Sequence, residues 1–134
     1  MKYAVVGAGA IGGYLGAKLA LAGEEVVFIA RNRNLAAINS EGMRLLLPDG
    51  CMTQATNVRA VLDPAEAGPQ DVVLITTKAH QVRELLPGLR AMFGPQTMVV
   101  TMINGIPWWY FQKLSGPYEG RMLASVDQIG RAHV

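Results

Sequence analysis

The feature that most constrains the fold is a glycine-rich loop between a short apolar run and a helical pattern. Residues 3–6 favour a β-strand, and residues 11–22 repeat apolar side chains at helical spacing. Between them lies Gly7-Ala8-Gly9-Ala10-Ile11-Gly12, a G-x-G-x-x-G sequence. The spacing alone is weak in a chain with 15 glycines. Between a strand and a helix, however, it is a dinucleotide-binding fingerprint.

Each glycine of this loop has a physical role. Gly7 permits a tight turn after the strand, Gly9 lets the backbone approach a pyrophosphate, and Gly12 lets the helix pack closely on the strand. The N–H groups of the first helical turn, from Ala8 to Ile11, would then face the phosphates. The alternative is a glycine-rich turn in an ordinary α/β protein, and the flanking strand and helix count against it.

The rest of the chain alternates strand and helix patterns, which predicts an α/β fold with a Rossmann-type doubly wound parallel sheet. Residues 43–47 and 53–61 are predicted strands around Pro48-Asp49-Gly50, so we expect an antiparallel β-hairpin insertion there. The first helix is expected to face the sheet with Ile11, Leu15, Leu19 and Ala22. Gly13 and Gly16 are costly inside a helix, so they indicate close approach of the sheet or a cofactor.

The second informative position is Arg31, which follows the predicted strand at residues 25–29. In dinucleotide-binding folds, a residue about 20 positions beyond the glycines meets the adenosine ribose, and a carboxylate there selects NAD. Here Arg31 and Arg33 occur without a nearby carboxylate. A guanidinium can hold a 2′-phosphate, so the sequence predicts NADP(H). The alternative is that both arginines are solvated loop charges.

Two further polar residues follow predicted strands at the edge where open α/β sheets bind ligands. Lys78 follows the strand at residues 71–76 and is placed to reach a phosphate or the substrate, although it could equally be an ordinary residue at a helix start. Asn104 follows the strand at residues 97–102 and could bond the nicotinamide ribose or a substrate oxygen, or simply form an Asn-Gly turn. His80 is expected to lie on a helix surface.

Composition and charge limit the kinds of partner and site that we expect. The 134 residues suit about one domain, 51% are apolar, and 12 basic against 10 acidic residues give a net charge of +2. This balance indicates no nucleic-acid or membrane partner, and we expect no metal site. The single Cys51 cannot form an internal disulfide, which fits a cytoplasmic protein. Residues 3–23 are nearly uncharged, but Lys18 and the glycines indicate a buried strand and helix rather than a membrane span.

The motifs together resemble one family. The glycine loop, Ala30-Arg31, Thr77-Lys78-Ala79-His80-Gln81-Val82, and Asn104-Gly105-Ile106-Pro107 followed by the aromatic run Trp108-Trp109-Tyr110-Phe111 occur in order at suitable spacings. The sequence to about Asp127 is similar to the N-terminal domain of ketopantoate reductase, also called 2-dehydropantoate 2-reductase. The resemblance implies NADPH-dependent reduction of ketopantoate, a small 2-oxo acid, to pantoate in pantothenate biosynthesis.

The resemblance also implies residue roles. The loop would hold the pyrophosphate, Arg31 the 2′-phosphate, Lys78 would lie near the adenosine end, and Asn104 would meet both nicotinamide ribose and substrate. In that family, the general-acid lysine and further substrate-binding groups belong to a helical C-terminal domain. We therefore expect that domain to be absent here, no catalytic residue in this fragment, and no turnover by it alone.

We expect residues 1–127 to form a dinucleotide-binding domain without its last strand, and residues 128–134 to be a non-native tail. The tail Ile129-Gly130-Arg131-Ala132-His133-Val134 resembles one reading frame of a sequencing adapter; the alternative is a genuine divergent tail. Two other functions compete. One is the NADP-binding domain of another 2-hydroxy acid dehydrogenase. The other is a nucleotide-sensing regulatory module, which usually reads the ribose with an acidic residue. The oligomeric state is left open.

Overall fold

The computed structural model describes residues 1–105, 110–121 and 123. The chain divides into two units, Met1–Ile103 and Asn104–Val134. All helices and strands of the described residues lie in the first unit. The strands are β1 Lys2–Val6, β2 Glu25–Ile29, β3 Met43–Leu46, β4 Met52–Ala55, β5 Val58–Val61, β6 Gln70–Ile75 and β7 Phe93–Thr101. The α-helices are α1 Ala10–Leu21, α2 Asn32–Glu41 and α3 Ala79–Leu89, and short 3₁₀ turns occur at Pro64–Glu66 and Arg90–Met92.

Five strands form one parallel sheet in the order β5-β2-β1-β6-β7. The central strands are continuous apolar runs, as expected where helices cover both faces of a parallel sheet. Successive strands run outward in both directions from the junction of β1 and β6, which is the doubly wound arrangement. The predicted α/β class and parallel central sheet are therefore confirmed.

The β-hairpin insertion is also confirmed, but its second strand was predicted too long. β3 pairs antiparallel with β4, and Gly50 adopts a φ of +82° in the turn between them. The predicted strand at residues 53–61 is two strands, because the chain breaks before Asn57 and β5 joins the parallel sheet beside β2. The Asn57 amide donates to the Ala20 carbonyl at 2.9 Å and so completes the end of α1.

Helix α1 buries small residues against the sheet, which corrects half of the predicted apolar stripe: Leu15 and Leu19 are half-buried and pack against the core, as expected, but two of its members do not. Ile11 is 45% exposed, and Ala22 is exposed after the helix has ended. The buried positions are Gly12, Gly13, Gly16, Ala17 and Ala20. At Gly12 and Gly16 the helix lies so close to its neighbours that even a Cβ would overlap them. The expectation that Gly13 and Gly16 mark a close approach was correct for Gly16, which lies against the fully buried ring of Phe28.

Replacing Gly16 with alanine should lower the free energy of unfolding by about 1–2 kcal/mol, because a small-to-large change in a packed core outweighs the better helix propensity. A Cβ at Gly16 would lie 2.6 Å from Cε1 of Phe28 and closer still to Cζ. Gly13→Ala is the matched control: its Cβ would meet Met43 at an ordinary 3.5 Å. In urea unfolding, the free energy of unfolding of this control should equal that of the parent or exceed it by up to about 1 kcal/mol. Equal effects of the two changes would contradict the packing described here.

The outer edge of the sheet at β5 is capped by one side chain of α2. Asn39 Nδ2 donates to the Ala60 carbonyl at 2.9 Å, and the Ala60 N–H donates to Asn39 Oδ1 at 2.8 Å. This pair of bonds satisfies the backbone groups that Ala60 turns away from β2. Covering an exposed edge in this way prevents unwanted strand pairing.

The second unit has turns rather than regular elements in its described residues. The rings of Tyr110 and Phe111 stack edge to face with centroids 5.2 Å apart, and Tyr118 lies against Phe111 at 5.6 Å. The Gly120 N–H donates to the Phe111 carbonyl at 3.0 Å, which closes this small aromatic cluster. Residues 106–109, which include the first half of the predicted aromatic run, and the predicted tail at residues 128–134 lie outside the described residues.

Candidate functional site

Three connections begin at the same edge of the sheet. Val6 at the end of β1 pairs with Ile29 at the end of β2 and with Ile75 at the end of β6. The glycine loop, the Ala30-Arg31 connection and the Thr76-Thr77-Lys78 connection therefore start at one level. The strand order reverses between β1 and β6, and ligands of open α/β sheets bind at that crevice.

The glycine loop has the geometry that its sequence predicts. Gly7 turns with a φ of +101°, where a side chain would be strained, and its N–H donates to the Ile29 carbonyl at 3.1 Å. A Cβ at Gly12 would overlap the Gly7 carbonyl oxygen and the Thr76 hydroxyl. A Cβ at Gly9 would meet nothing within 4 Å. The loop is thus tight at both ends and open to solvent in the middle.

The open part of the loop is also the uncapped start of α1. Gly9 is the N-cap residue and has no side chain with which to bond the first-turn N–H groups, and this turn carries no acidic residue. Gly9, Ala10 and Ile11 are exposed. Unpaired N–H groups and the positive end of a helix dipole together form an anion-binding site.

Thr76 and Thr77 complete this side of the crevice, and sequence reasoning did not single out either as a site residue. The Thr76 hydroxyl lies 2.9 Å from the Val6 carbonyl oxygen and 2.8 Å from the Gly7 carbonyl oxygen, so it ties β6 to the start of the loop. The Thr77 hydroxyl oxygen is buried and has no hydrogen-bond partner among the described residues. The Thr77 methyl group would lie 2.8 Å from a Cβ at Gly7.

Arg31 lies at the start of α2, immediately beyond the end of β2. It is the N-cap residue with an extended backbone, and its side chain is exposed. Among the described residues it takes part in neither of the ion pairs, which join Met1 to Glu24 and Arg44 to Glu41. The next residue with a carboxylate after β2 is Glu41, at the far end of α2. The guanidinium is therefore available to an anion at this corner of the sheet.

Lys78 and Asn104 are both exposed, and they lie in different units of the chain. Lys78 is the N-cap residue of α3, and its backbone N–H donates to Gln81 Oε1 at 3.3 Å, which leaves the ammonium group outside the cap. Asn104 precedes Gly105, which has a φ of +107°. His80 is exposed on α3, as expected. The roles of Lys78 and Asn104 remain sequence-based predictions.

The described part of the chain contains neither a metal-binding cluster nor a membrane-spanning helix. No group of three or more His, Cys, Asp or Glu side chains there is arranged to hold a metal ion. Within the same residues, no helix combines the length and apolar character that crossing a bilayer requires.

The chain is similar to proteins of one enzyme family. A family model described as ketopantoate reductase PanE/ApbA matches residues 3–107. The chain is 47% identical over 131 residues to a 2-dehydropantoate 2-reductase of Mesorhizobium japonicum, and the match covers 97% of this chain and 40% of that protein. A 2-dehydropantoate 2-reductase of Pyrococcus horikoshii is 34% identical over 106 residues, covering 79% of this chain and 34% of that protein.

Solved structures agree with these matches. A Ralstonia solanacearum MolK2 protein, described provisionally as a ketopantoate reductase, superposes with a TM-score of 0.85 at 45% identity and covers 96% of this chain. A D-mandelate dehydrogenase solved with NADH and anilino(oxo)acetate has a TM-score of 0.72 at 29% identity and covers 80% of this chain. This chain covers 39% and 34% of those two structures, so it spans about two fifths or less of its relatives.

Proposed function

This chain belongs to the ketopantoate reductase family, and from that membership we propose that its glycine loop binds the pyrophosphate of NADP(H). The observation that carries the proposal is the uncapped start of α1. Gly9 leaves open space and exposed N–H groups where a phosphate must approach, and Gly7 and Gly12 hold that opening in shape. The residues present therefore fit a dinucleotide.

Each predicted residue has a part in this proposal. The N–H groups of Ala8, Gly9, Ala10 and Ile11 bond the phosphates. Arg31 pairs with the 2′-phosphate, because its guanidinium is exposed and free of the two ion pairs of the described residues. Lys78 adds positive charge near the adenosine end, and Asn104 bonds the nicotinamide ribose and the substrate. The bound cofactor supplies the hydride.

The reaction we propose for the whole protein is reduction of ketopantoate to pantoate, which the names of its relatives support. The family's general-acid lysine belongs to the part of the relatives that residues 1–134 do not span. We therefore expect these residues to bind the cofactor without turning substrate over, because the alkoxide formed by hydride transfer needs a proton donor. A cytoplasmic location, suggested by the single Cys51, is part of the same proposal.

A second candidate is the dinucleotide domain of another 2-hydroxy acid dehydrogenase. The similarity to D-mandelate dehydrogenase, which was solved with NADH, favours it. The two candidates share the glycine loop, and their substrates would be distinguished by residues beyond this chain. Arg31 argues for NADP(H) in either case, because a carboxylate would be needed there to favour NAD.

Replacing Gly9 with valine should weaken NADPH binding without unfolding the chain. A valine at this extended N-cap position meets no protein atom within 4 Å of its Cβ, but it occupies the space of the phosphate. We expect NADPH affinity to fall at least about tenfold, the loss of one charge-assisted hydrogen bond. Circular dichroism checks that the variant is folded, and calorimetric titration measures its affinity for NADPH. Undiminished NADPH binding by a folded Gly9→Val chain would overturn the proposed site.

A further inference from the structure

The glycine loop is tied to the second helix by one side chain outside the fingerprint. Asn34, in the first turn of α2, donates its Nδ2 hydrogen to the Ala8 carbonyl at 3.3 Å. One residue earlier, the Gly7 N–H donates to the Ile29 carbonyl at 3.1 Å. Two successive residues of the loop are therefore anchored to the end of β2 and to the first turn of α2, on either side of Arg31.

The bond from Asn34 fixes more than the Ala8 carbonyl. In a planar trans peptide, the carbonyl and the following N–H point in opposite directions, and no cis peptide occurs among the described residues. Holding the Ala8 carbonyl toward α2 therefore turns the Gly9 N–H away from α2, into the open part of the loop. Without this anchor the same peptide could rotate and present its negative carbonyl end to an anion.

We propose that Asn34 is a positioning residue for the dinucleotide: it holds the Ala8–Gly9 peptide so that the Gly9 N–H faces the pyrophosphate. The inference rests on the proposed function and adds to it a residue that acts on the phosphate site without contacting the ligand. It also explains why an amide at this position is useful. A carboxylate would lack the hydrogen to donate, and a longer cation would compete with Arg31 for the ligand.

The position of Asn34 makes this role testable without loss of the fold. The residue is exposed and borders a cleft of about 220 Å³, lined on its other sides by Ile38, Met43 and Arg44 among others. Truncation of Asn34 therefore leaves a water-accessible space rather than a buried void, and the cost of a core cavity does not arise. Asn39 provides a matched control, because it lies on the same helix and bonds backbone groups of β5, away from the loop.

The experiment compares Asn34→Ala and Asn34→Leu with the parent chain and with Asn39→Ala. NADPH and NADH are titrated against each, together with adenosine 2′-monophosphate, which carries a 2′-phosphate but no pyrophosphate. Both Asn34 variants should bind NADPH and NADH about fivefold more weakly, the effect of one ordinary hydrogen bond, with an unchanged ratio between the two. Their affinity for adenosine 2′-monophosphate should equal that of the parent.

The control should separate positioning from general stability. Asn39→Ala should lower the midpoint of urea unfolding and leave all three affinities unchanged at temperatures where the chain is folded. Parent-like dinucleotide binding by the Asn34 variants, a loss confined to NADPH, or an equal loss in Asn39→Ala would each overturn the inference while the proposed function stands. Failure of the parent to bind either dinucleotide would overturn the proposed function, and the inference with it.

Discussion

A Gly12→Ala chain is expected to lose about 3 kcal/mol of its free energy of unfolding, the upper part of the range for overpacking a close-packed site. The Cβ would overlap the Gly7 carbonyl oxygen and the Thr76 hydroxyl, and it would lie 3.1 Å from Cγ1 of Val5. Two of these neighbours cannot move easily, because one is backbone and the other is bonded to the Val6 and Gly7 carbonyls. A loss of this size is a large part of the stability of a typical domain.

Urea unfolding followed by circular dichroism measures the loss at Gly12. Gly9→Ala is the control within the same loop, because its Cβ would meet nothing within 4 Å. We expect this control to lie within about 1 kcal/mol of the parent, since alanine is only a poorer N-cap residue than glycine. A Gly12→Ala chain as stable as the control would show that α1 does not pack against the loop as described.

Arg31→Ala should remove the preference for NADPH over NADH. The guanidinium is exposed at the start of α2, and no carboxylate follows β2 before Glu41 to neutralise it or to select a ribose hydroxyl. A charge-assisted hydrogen bond contributes about 1.5–3 kcal/mol, so NADPH affinity should fall at least about tenfold. NADH affinity should change little, because NADH has no 2′-phosphate.

Arg33→Ala is the control for net charge, since it removes the same charge two residues further along α2. Its effect on NADPH affinity should be small and should disappear at high salt, as for any exposed charge near an anion. Calorimetric titration of both dinucleotides gives the required ratios. If Arg31→Ala and Arg33→Ala had equal effects on those ratios, the arginines would be solvated loop charges and the NADP(H) assignment would fail.

The sheet could be predicted from the sequence because its strands are local patterns. Strands β1, β2 and β6 are short, continuous apolar runs bounded by turns, and the Asp49-Gly50 dipeptide predicts the β3–β4 hairpin. The division between β4 and β5 escaped prediction because the break consists of only Thr56 and Asn57, with no glycine or proline to mark it. At this break Asn57 bonds the Ala20 carbonyl, a contact that depends on the packed position of α1.

The sheet-facing side of α1 was predicted only in part, and the reason is physical. Apolar periodicity assumes that large side chains seek the core, and Leu15 and Leu19 do pack against it, yet the fully buried positions of this helix are all glycine or alanine. Two glycines were the available signal. Gly12 and Gly16 are four positions apart and so lie on one face of the helix, and both are in close contact with their neighbours.

The backbone geometry of the candidate site could be predicted from the sequence. The side-chain bonds between residues far apart in the sequence were missed. The turn at Gly7 and the close approach at Gly12 follow from the motif. The bonds from Thr76 to Val6 and Gly7, and from Asn34 to Ala8, join residues 26 to 70 positions apart. Neither Thr76 nor Asn34 belongs to a recognisable motif, so only the three-dimensional structure reveals these contacts.

The most direct test of the central claim is a titration of the ¹⁵N-labelled chain with NADPH, followed amide by amide in NMR spectra. We expect the largest shifts at the N–H groups of Gly9, Ala10 and Ile11, with a further shift at Arg31. NADH should shift the loop amides and leave Arg31 almost unmoved. Shifts centred elsewhere in the chain, or no shift of the loop amides at saturating NADPH, would contradict the proposed cofactor site.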